Sequence, residues 1–271
     1  MVEEKGKELE KKRKELLEVY QQWYEQLTEL LEKCPVFRDR QYSHPYYLHI
    51  PDDWYQSTYR ILIVGEEGRG EKPFDRPIEE AQEFNRTYLL RQLGKSSQYD
   101  RQYEWNNSPF WRRIRSIDEL MKGKDHSITW TNLDMIHHNG TKDCALTAKE
   151  RKALHDTDIK ILSKEIDILQ PTHVIYFGWY FISVRAELHN DHSDVFKHLY
   201  TSEKRGDNSQ WGKDKMTKYQ ECQENGNRIW HIFTYHPGWV NRQKQAFKEE
   251  YEKKVLDQIS ETLTPGSSDV K

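Results

Sequence analysis

Two short, near-continuous apolar runs constrain the fold of this chain most strongly. They are "RILIVG" at residues 60–65 and "THVIYFG" at residues 172–178. Strands that are apolar on both faces are typical of a parallel sheet covered by helices on both sides. Two further runs are also typical of strands, "SITWTN" at 127–132 and "RIWHIFTYH" at 228–236. Together the four runs predict a central four-stranded, mainly parallel sheet.

Helical patterns separate these runs. Ser108 and Pro109 suit the N-cap and the first turn of a helix through "SPFWRRIRSIDELMKG". Apolar residues at three- and four-residue steps mark the inner faces of this helix and of two later ones: Ile114, Ile117 and Leu120 or Met121; Ile159, Leu162, Ile166 and Leu169; Phe247, Tyr251, Val255 and Ile259. The alternation of strand and helix predicts a three-layer α/β/α fold.

The chain divides into three parts. Residues 1–35 read as an amphipathic N-terminal helix, for which packing on the domain is favoured over a role as a partner or dimerisation helix. Residues 36–262 form the α/β domain, with long polar insertions near 71–107 and 186–227 that would suit a lid, a cap or a binding arm. The remaining residues, 263–271, read as a flexible tail.

Composition limits the functions that this chain can have. Lys and Arg number 42 against 45 Asp and Glu, so a nucleic-acid partner would need a local basic patch. The three cysteines are far apart, which fits a reducing cytoplasm and argues against a cysteine-bound zinc or iron–sulfur cofactor. We expect a cytoplasmic protein without membrane contact, because the sequence has neither a signal-peptide pattern nor a long apolar run.

Polar residues follow each predicted strand, where open α/β sheets bind their ligands. The first strand runs into Gly65-Glu66-Glu67-Gly68, the second into Asn132, the third into Gly178 and the fourth into His236. Each residue alone has a structural interpretation, as a connecting turn, a helix cap or a core histidine. Their shared position at one edge of the sheet favours a functional site.

The order of these motifs resembles the uracil-DNA glycosylase superfamily. The matching stretches are "ILIVGEEGRG", "NSPFWRRI", "ITWTNLD", "LQPTHVIYFG" and "TYHPG", and they span residues 60–70 and 108–260. The resemblance implies a monofunctional DNA glycosylase, which flips a base out of the helix and hydrolyses its N-glycosidic bond. It implies DNA as the partner and requires no cofactor or metal.

The resemblance also assigns roles to individual residues. Phe110 would stack on the flipped base, Asn132 would read its edge, and Gly65 and Gly68 would line the pocket. His236 would donate a hydrogen bond to the departing base. The catalytic carboxylate is either Glu66, which matches the Gly-Glu-x-Pro-Gly type of turn and is preferred, or Glu67, which matches the Gly-Gln-Asp-Pro type.

Residues beside these motifs would bind DNA. The stretch with Trp239, Asn241 and Arg242 would enter the minor groove and fill the gap left by the flipped base. Arg112 and Arg113 follow Phe110 and would contact phosphates. The alternative is that such charges are simply solvated.

Departures from the family pattern bear on the substrate. Gly68 stands where the family usually has Pro, and the two insertions would enlarge or cover the site. We therefore expect uracil or, in preference, a bulky modified pyrimidine of the kind found in phage DNA, which would suit antiviral defence. Two alternatives remain: a non-catalytic DNA-binding member of the superfamily, and a metal-dependent hydrolase using Asp134, His137, His138 and His236.

Overall fold

Four parallel strands form the centre of the protein. The structure is a computed structural model that describes residues 2–67, 76–95, 107–139, 146–156, 161–178, 217–224 and 227–262. Its strands are β1 (Tyr59–Glu67), β2 (His126–Asp134), β3 (His173–Phe177), β4 (Thr217–Glu224) and β5 (Asn227–Thr234). The order is β2-β1-β3-β5-β4, in which only β4 pairs antiparallel, at the edge. The prediction of a four-stranded parallel centre is confirmed, and β4 is an additional strand inside the predicted second insertion.

Helices lie on both faces of this sheet. They are α1 (Val2–Lys33), α2 (Ile78–Gln92), α3 (Pro109–Leu120), α4 (Ala148–Asp156), α5 (Ile161–Leu169), α6 (Pro237–Val240) and α7 (Gln245–Thr262). On one face, the Thr131 hydroxyl of β2 donates a hydrogen bond to Glu165 of α5. On the other face, Gly65 of β1 lies against Phe110 of α3. The predicted three-layer α/β/α arrangement is therefore confirmed.

The apolar runs of the sequence form the buried strands. All five residues of β3 are buried, and residues 61–64 of β1 are at most 1% exposed. Such strands contact helices on both sides, which explains why their sequences lack the alternation of a half-exposed strand.

The N-terminal helix α1 packs on its own domain. Leu16, Tyr20 and Leu27 are fully buried along its apolar face. The Tyr20 hydroxyl donates to Glu165 at 2.5 Å and accepts the Leu48 backbone N–H at 3.0 Å. The predicted packing of this amphipathic helix on the domain is confirmed.

The predicted first insertion contains α2, which lies against the segment before β1. The Gln82 and Asn85 side-chain amides donate to the backbone carbonyls of Leu48 and Tyr47, at 2.9 and 2.8 Å. The predicted tail, 263–271, and most of the second insertion lie outside the described residues. No helix in the described part of the chain is both long and apolar enough to cross a bilayer.

The short helix α4 was not predicted, although its start has a clear sequence signal. The Thr147 N–H and hydroxyl each donate to Glu150 Oε2 at 2.6 Å, and the Glu150 N–H donates back to the Thr147 hydroxyl at 3.3 Å. This reciprocal pair is a capping box, the Thr-x-x-Glu pattern that begins many helices.

Candidate functional site

The carboxyl ends of the parallel strands meet at one edge of the sheet. Gly65 of β1 pairs with Asn132 of β2, and Phe177 of β3 pairs with Thr234 of β5. The Gly178 N–H then donates to the Thr234 carbonyl at 3.1 Å, with a φ of 110° that favours glycine. The strand register therefore brings the predicted polar strand ends to a common edge.

Gly65, Asn132 and Phe110 converge at this edge. A Cβ atom placed on Gly65 would lie 2.6 Å from Asn132 Oδ1 and 3.1 Å from Phe110 Cε2. Both distances are shorter than ordinary contacts, so only glycine allows the amide and the ring to approach the strand this closely. Asn132 is 5% exposed, whereas Phe110 is half-buried. The structure thus brings three of the predicted substrate-binding residues together.

The start of α3 fixes the position of Phe110. Ser108 is the N-cap and accepts the Trp111 backbone N–H at 3.4 Å, as the sequence predicted. The Phe110 ring makes nearly perpendicular contacts with Trp111, at 5.4 Å, and with Phe177, at 5.5 Å between ring centroids. Phe177 was not predicted as a site residue. The sequence feature that could have indicated it is its position as the last apolar residue of the strand, directly before Gly178.

His236 caps the short helix α6. Its Nδ1 accepts the Gly238 backbone N–H at 3.1 Å. Because Nδ1 accepts a hydrogen bond, the neutral imidazole carries its proton on Nε2. A Cβ atom at position 238 would lie 3.0 Å from the histidine ring, so glycine is favoured there. The turn "HPG" therefore fixes both the position and the tautomer of the imidazole.

The two candidate carboxylates occupy adjacent positions at the end of β1. Successive side chains of a strand point to opposite faces, so Glu66 belongs to the face opposite that of Gly65. This placement argues against the preference for Glu66 over Glu67 as the catalytic carboxylate. Glu67 pairs through its backbone with Asp134, while its side chain and Gly68 lie outside the described residues.

Four of the predicted DNA-binding residues lie on the surface that α3 and α6 share. Trp239 is 38% exposed, unusually for a large aromatic side chain, and its ring lies 4.7 Å from that of Tyr235. Asn241 and Arg242, which follow the buried Val240, are exposed. The Arg112 guanidinium donates to Asn241 Oδ1 at 3.0 Å, which joins the two helices at the surface.

Arg113 departs from the prediction that it binds DNA. It is 4% exposed, because its position on α3 faces the interior and α7. Its guanidinium donates to Glu252 at 2.9 Å and lies 5.4 Å from the centre of the Tyr251 ring. Burial lowers the pKa of this guanidinium. The prediction for Arg113 is therefore wrong: this arginine connects two helices.

One of the histidines that suggested a metal site, His138, is part of a hydrogen-bonded cluster. His138 Nε2 lies 2.8 Å from Glu150 Oε1, which also accepts the Tyr42 hydroxyl at 2.5 Å. Burial would raise the pKa of Glu150, but the hydrogen bonds from Thr147, Tyr42 and His138 hold it at about 2. Across the described ranges, no group of three or more His, Cys, Asp or Glu is arranged to hold a metal ion.

A buried carboxyl beneath β2 was also missed by sequence reasoning. Glu165 is fully buried, and its Oε1 accepts the hydroxyls of Tyr20 and Thr131. Within the described part of the chain its Oε2 has no hydrogen-bond partner, and burial raises the pKa of this carboxyl to about 7. The sequence feature that could have indicated this buried carboxyl is a glutamate within the apolar face of α5. Because Thr131 directly precedes Asn132, this carboxyl supports the strand that carries the candidate site.

The comparisons with known proteins give no family for this chain. No protein-family model matches it. A search of curated proteins likewise finds no similar sequence. Its function must therefore be argued from the order of its motifs and from the geometry of the site.

Proposed function

We propose that this protein is a DNA glycosylase that flips a base out of DNA and hydrolyses its N-glycosidic bond. The observation that carries the proposal is the convergence of Gly65, Asn132 and Phe110 at the strand ends. An aromatic ring and a buried amide side by side form a compact site for a planar heterocycle. His236, at the same edge of the sheet, adds a hydrogen-bond donor with a fixed tautomer.

The pocket residues would recognise the base by stacking and by hydrogen bonding. Phe110, held by Trp111 and Phe177, would stack on the base. Asn132 offers both an amide donor and a carbonyl acceptor, which suits the edge of a pyrimidine. A base must leave the double helix to reach such a site, so the proposal requires base flipping.

Hydrolysis of the glycosidic bond requires stabilisation of the charges that develop on the departing base and on the sugar. The base departs with the bonding electron pair, and a hydrogen bond from His236 Nε2–H would stabilise the negative charge that develops on its oxygen. Glu66 or Glu67 would orient water and stabilise the positive charge on the sugar. Water then adds its hydroxyl to C1′ and gives up a proton, which leaves an abasic site.

The surface of α3 and α6 would hold the DNA. Arg112 and Arg242 would contact phosphates, and Asn241 positions Arg112. Trp239 is a large, partly exposed ring next to the proposed catalytic histidine, as expected for a side chain that fills the gap left by a flipped base. Local arginines would supply the attraction that the net charge of −3 does not.

We further propose a modified pyrimidine, such as those of phage DNA, as the preferred substrate. Two features support this proposal. Gly68 stands where the uracil-DNA glycosylase pattern usually has Pro, and the long segments that follow β1 and β3 would enlarge or cover the site. A role in antiviral defence would place the protein in the cytoplasm, where its separate cysteines would remain reduced.

An abasic-site assay tests this proposal. The protein is incubated with DNAs that contain unmodified cytosine, uracil, hydroxymethylcytosine or glucosylated cytosine, and abasic sites are then cleaved and counted. We expect cleavage at one modified pyrimidine. Activity confined to uracil would contradict the preference for modified bases. Binding without abasic sites on any DNA would instead support a non-catalytic DNA-binding protein.

A further inference from the structure

An exposed aromatic side chain lies on α2, the helix that precedes α3. Phe84 is 52% exposed, and its ring is nearly parallel to that of Tyr88, at 14° and 6.4 Å between centroids. The guanidinium carbon of Arg76 lies 4.9 Å from the centre of the Phe84 ring. An exposed ring combined with a cation is the arrangement that proteins use to stack unpaired bases.

Two arginines lie three residues apart on α3. Arg112 donates to Asn241 at 3.0 Å, and Arg115 donates to Gln92 at 3.3 Å. The Asn241 amide oxygen orients the Arg112 guanidinium without cancelling its charge. Residues three apart on a helix are neighbours on its surface, so the two guanidinium groups lie near each other. Partial burial and the positive charge of Arg112 both lower the pKa of Arg115. A phosphate group can accept hydrogen bonds from two neighbouring guanidinium groups.

Ring contacts connect the exposed Phe84 to the candidate pocket. Tyr88 contacts Trp111 at 5.2 Å, and Trp111 contacts Phe110 at 5.4 Å. Arg112 directly follows Trp111 on α3. Ring contacts therefore link the aromatic pair on α2 to Phe110 through the buried Trp111, and the two arginines lie on the same helix as Trp111.

We infer that Phe84, Tyr88, Arg112 and Arg115 form a strand track, a binding surface for an unpaired DNA strand that flanks the excised nucleotide. In this track the two arginines bind a backbone phosphate and Phe84 stacks on a neighbouring base. A base paired within a duplex is already stacked on both faces, so the track favours single-stranded DNA as the substrate. The inference rests on the proposed function and specifies the form of DNA on which the protein acts.

Binding measurements with matched variants test the track. The affinity of the full chain is measured for a single-stranded oligonucleotide and for its duplex, over a series of salt concentrations. Phe84→Leu keeps the apolar bulk but removes the aromatic face, and we expect roughly 5- to 100-fold weaker single-strand binding. Phe84→Tyr should keep wild-type affinity. Arg112→Gln combined with Arg115→Gln should lower the salt slope by about 0.7 for each phosphate that the protein no longer binds.

A control variant on α2, the helix that carries Phe84, separates binding by the track from general charge effects. Arg86 is bonded to Asp52 and Glu83 away from the track, so Arg86→Gln should leave single-strand affinity unchanged. An oligonucleotide with 2-aminopurine next to the target base reports stacking directly, because its fluorescence falls on stacking.

The outcomes distinguish the track from the proposed function. Wild-type excision with equal affinity for wild type and Phe84→Leu would overturn the track and leave the glycosylase proposal intact. Tighter binding of duplex than of single strands would also overturn the track. A wild-type protein that binds no DNA would overturn both.

Discussion

At the scale of single residues, Gly65 determines whether the candidate pocket can form. Its missing side chain leaves the space that Asn132 and Phe110 occupy. Glycine occurs here because of this close approach, since the residue continues a regular strand. We therefore expect the proposed pocket to be sensitive to a single methyl group at this position.

Gly65→Ala should therefore separate activity from stability. The added methyl group must displace the Asn132 amide or the Phe110 ring, so we expect at least a tenfold loss of base excision. The cost in unfolding free energy should be only about 1–3 kcal/mol, as for other overpacked sites. Denaturant unfolding and the abasic-site assay measure the two effects. Gly6→Ala, where the added atom meets nothing within 4 Å, is the matched control and should leave excision unchanged.

His236 combines a structural and a proposed chemical role, and two variants separate them. His236→Ala removes the acceptor for the Gly238 N–H, which should cost about 1 kcal/mol, as well as the donor to the base. His236→Asp keeps a capping acceptor but cannot donate when ionised. Both variants should lose roughly 100- to 1000-fold in excision rate, whereas only Ala should lose stability through the cap. Full activity in His236→Asp would contradict the role as donor.

Glu165 makes the stability of the protein depend on pH. Its pKa is about 7 in the folded protein and 4.5 for an ordinary glutamate, so the folded state holds the extra proton between these values. Stability should therefore fall as the pH rises through this window and remain low above it. The loss from this group should be about 3 kcal/mol. Glu165→Gln should remove that loss, as measured by denaturant unfolding at pH 5 and pH 8. Identical pH profiles for the two proteins would contradict this role of Glu165.

At the scale of elements, α1 is part of the folded domain. Its apolar face is buried against the same chain, and Tyr20 reaches the carboxyl beneath β2. Leu27→Ala should therefore cost about 2–5 kcal/mol in unfolding free energy. Glu25→Ala, on the exposed face, should change it by less than about 0.5 kcal/mol. Equal small effects would indicate that α1 contributes little to the domain.

The elements that the sequence predicted best are those whose pattern is local. The strands β1 and β3 are buried on both faces and are therefore uniformly apolar, and α3 begins with a Ser-Pro cap. The strand β4 was missed because its sequence, "TKYQECQE", has no apolar run. An edge strand gains much of its stability from backbone pairing with its neighbour, which a sequence pattern does not reveal.

The sequence predicted those parts of the candidate site that depend on strand ends. It did not predict the parts that depend on neighbouring helices. Gly65 and Asn132 meet because parallel strands end at the same edge, which the order of the motifs already implied. Arg113 was misassigned because its environment is set by α7, more than a hundred residues later in the chain. Glu165 was missed for the same reason, since its partners come from α1 and β2.

At the scale of the whole molecule, the fold gathers a candidate site at one edge of a sheet whose central strands, β1 and β3, are mainly apolar. The site is bounded by α3 and α6, whose arginines and exposed Trp239 lie on the surface beside it. The chain has a net charge of −3, so the proposed attraction to DNA requires a local basic surface such as this one. DNA binding should consequently weaken steeply as salt is added, because phosphate contacts release counterions.

The central claim is that the protein breaks a glycosidic bond, and its most direct test is the release of a free base. Wild-type protein and His236→Asp are incubated with single-stranded DNA that carries the modified pyrimidines, and free bases are quantified by mass spectrometry alongside abasic sites. We predict one released base for each abasic site with wild-type protein, and release at least 100-fold slower with the variant. DNA binding by the wild-type protein without any released base would contradict the claim.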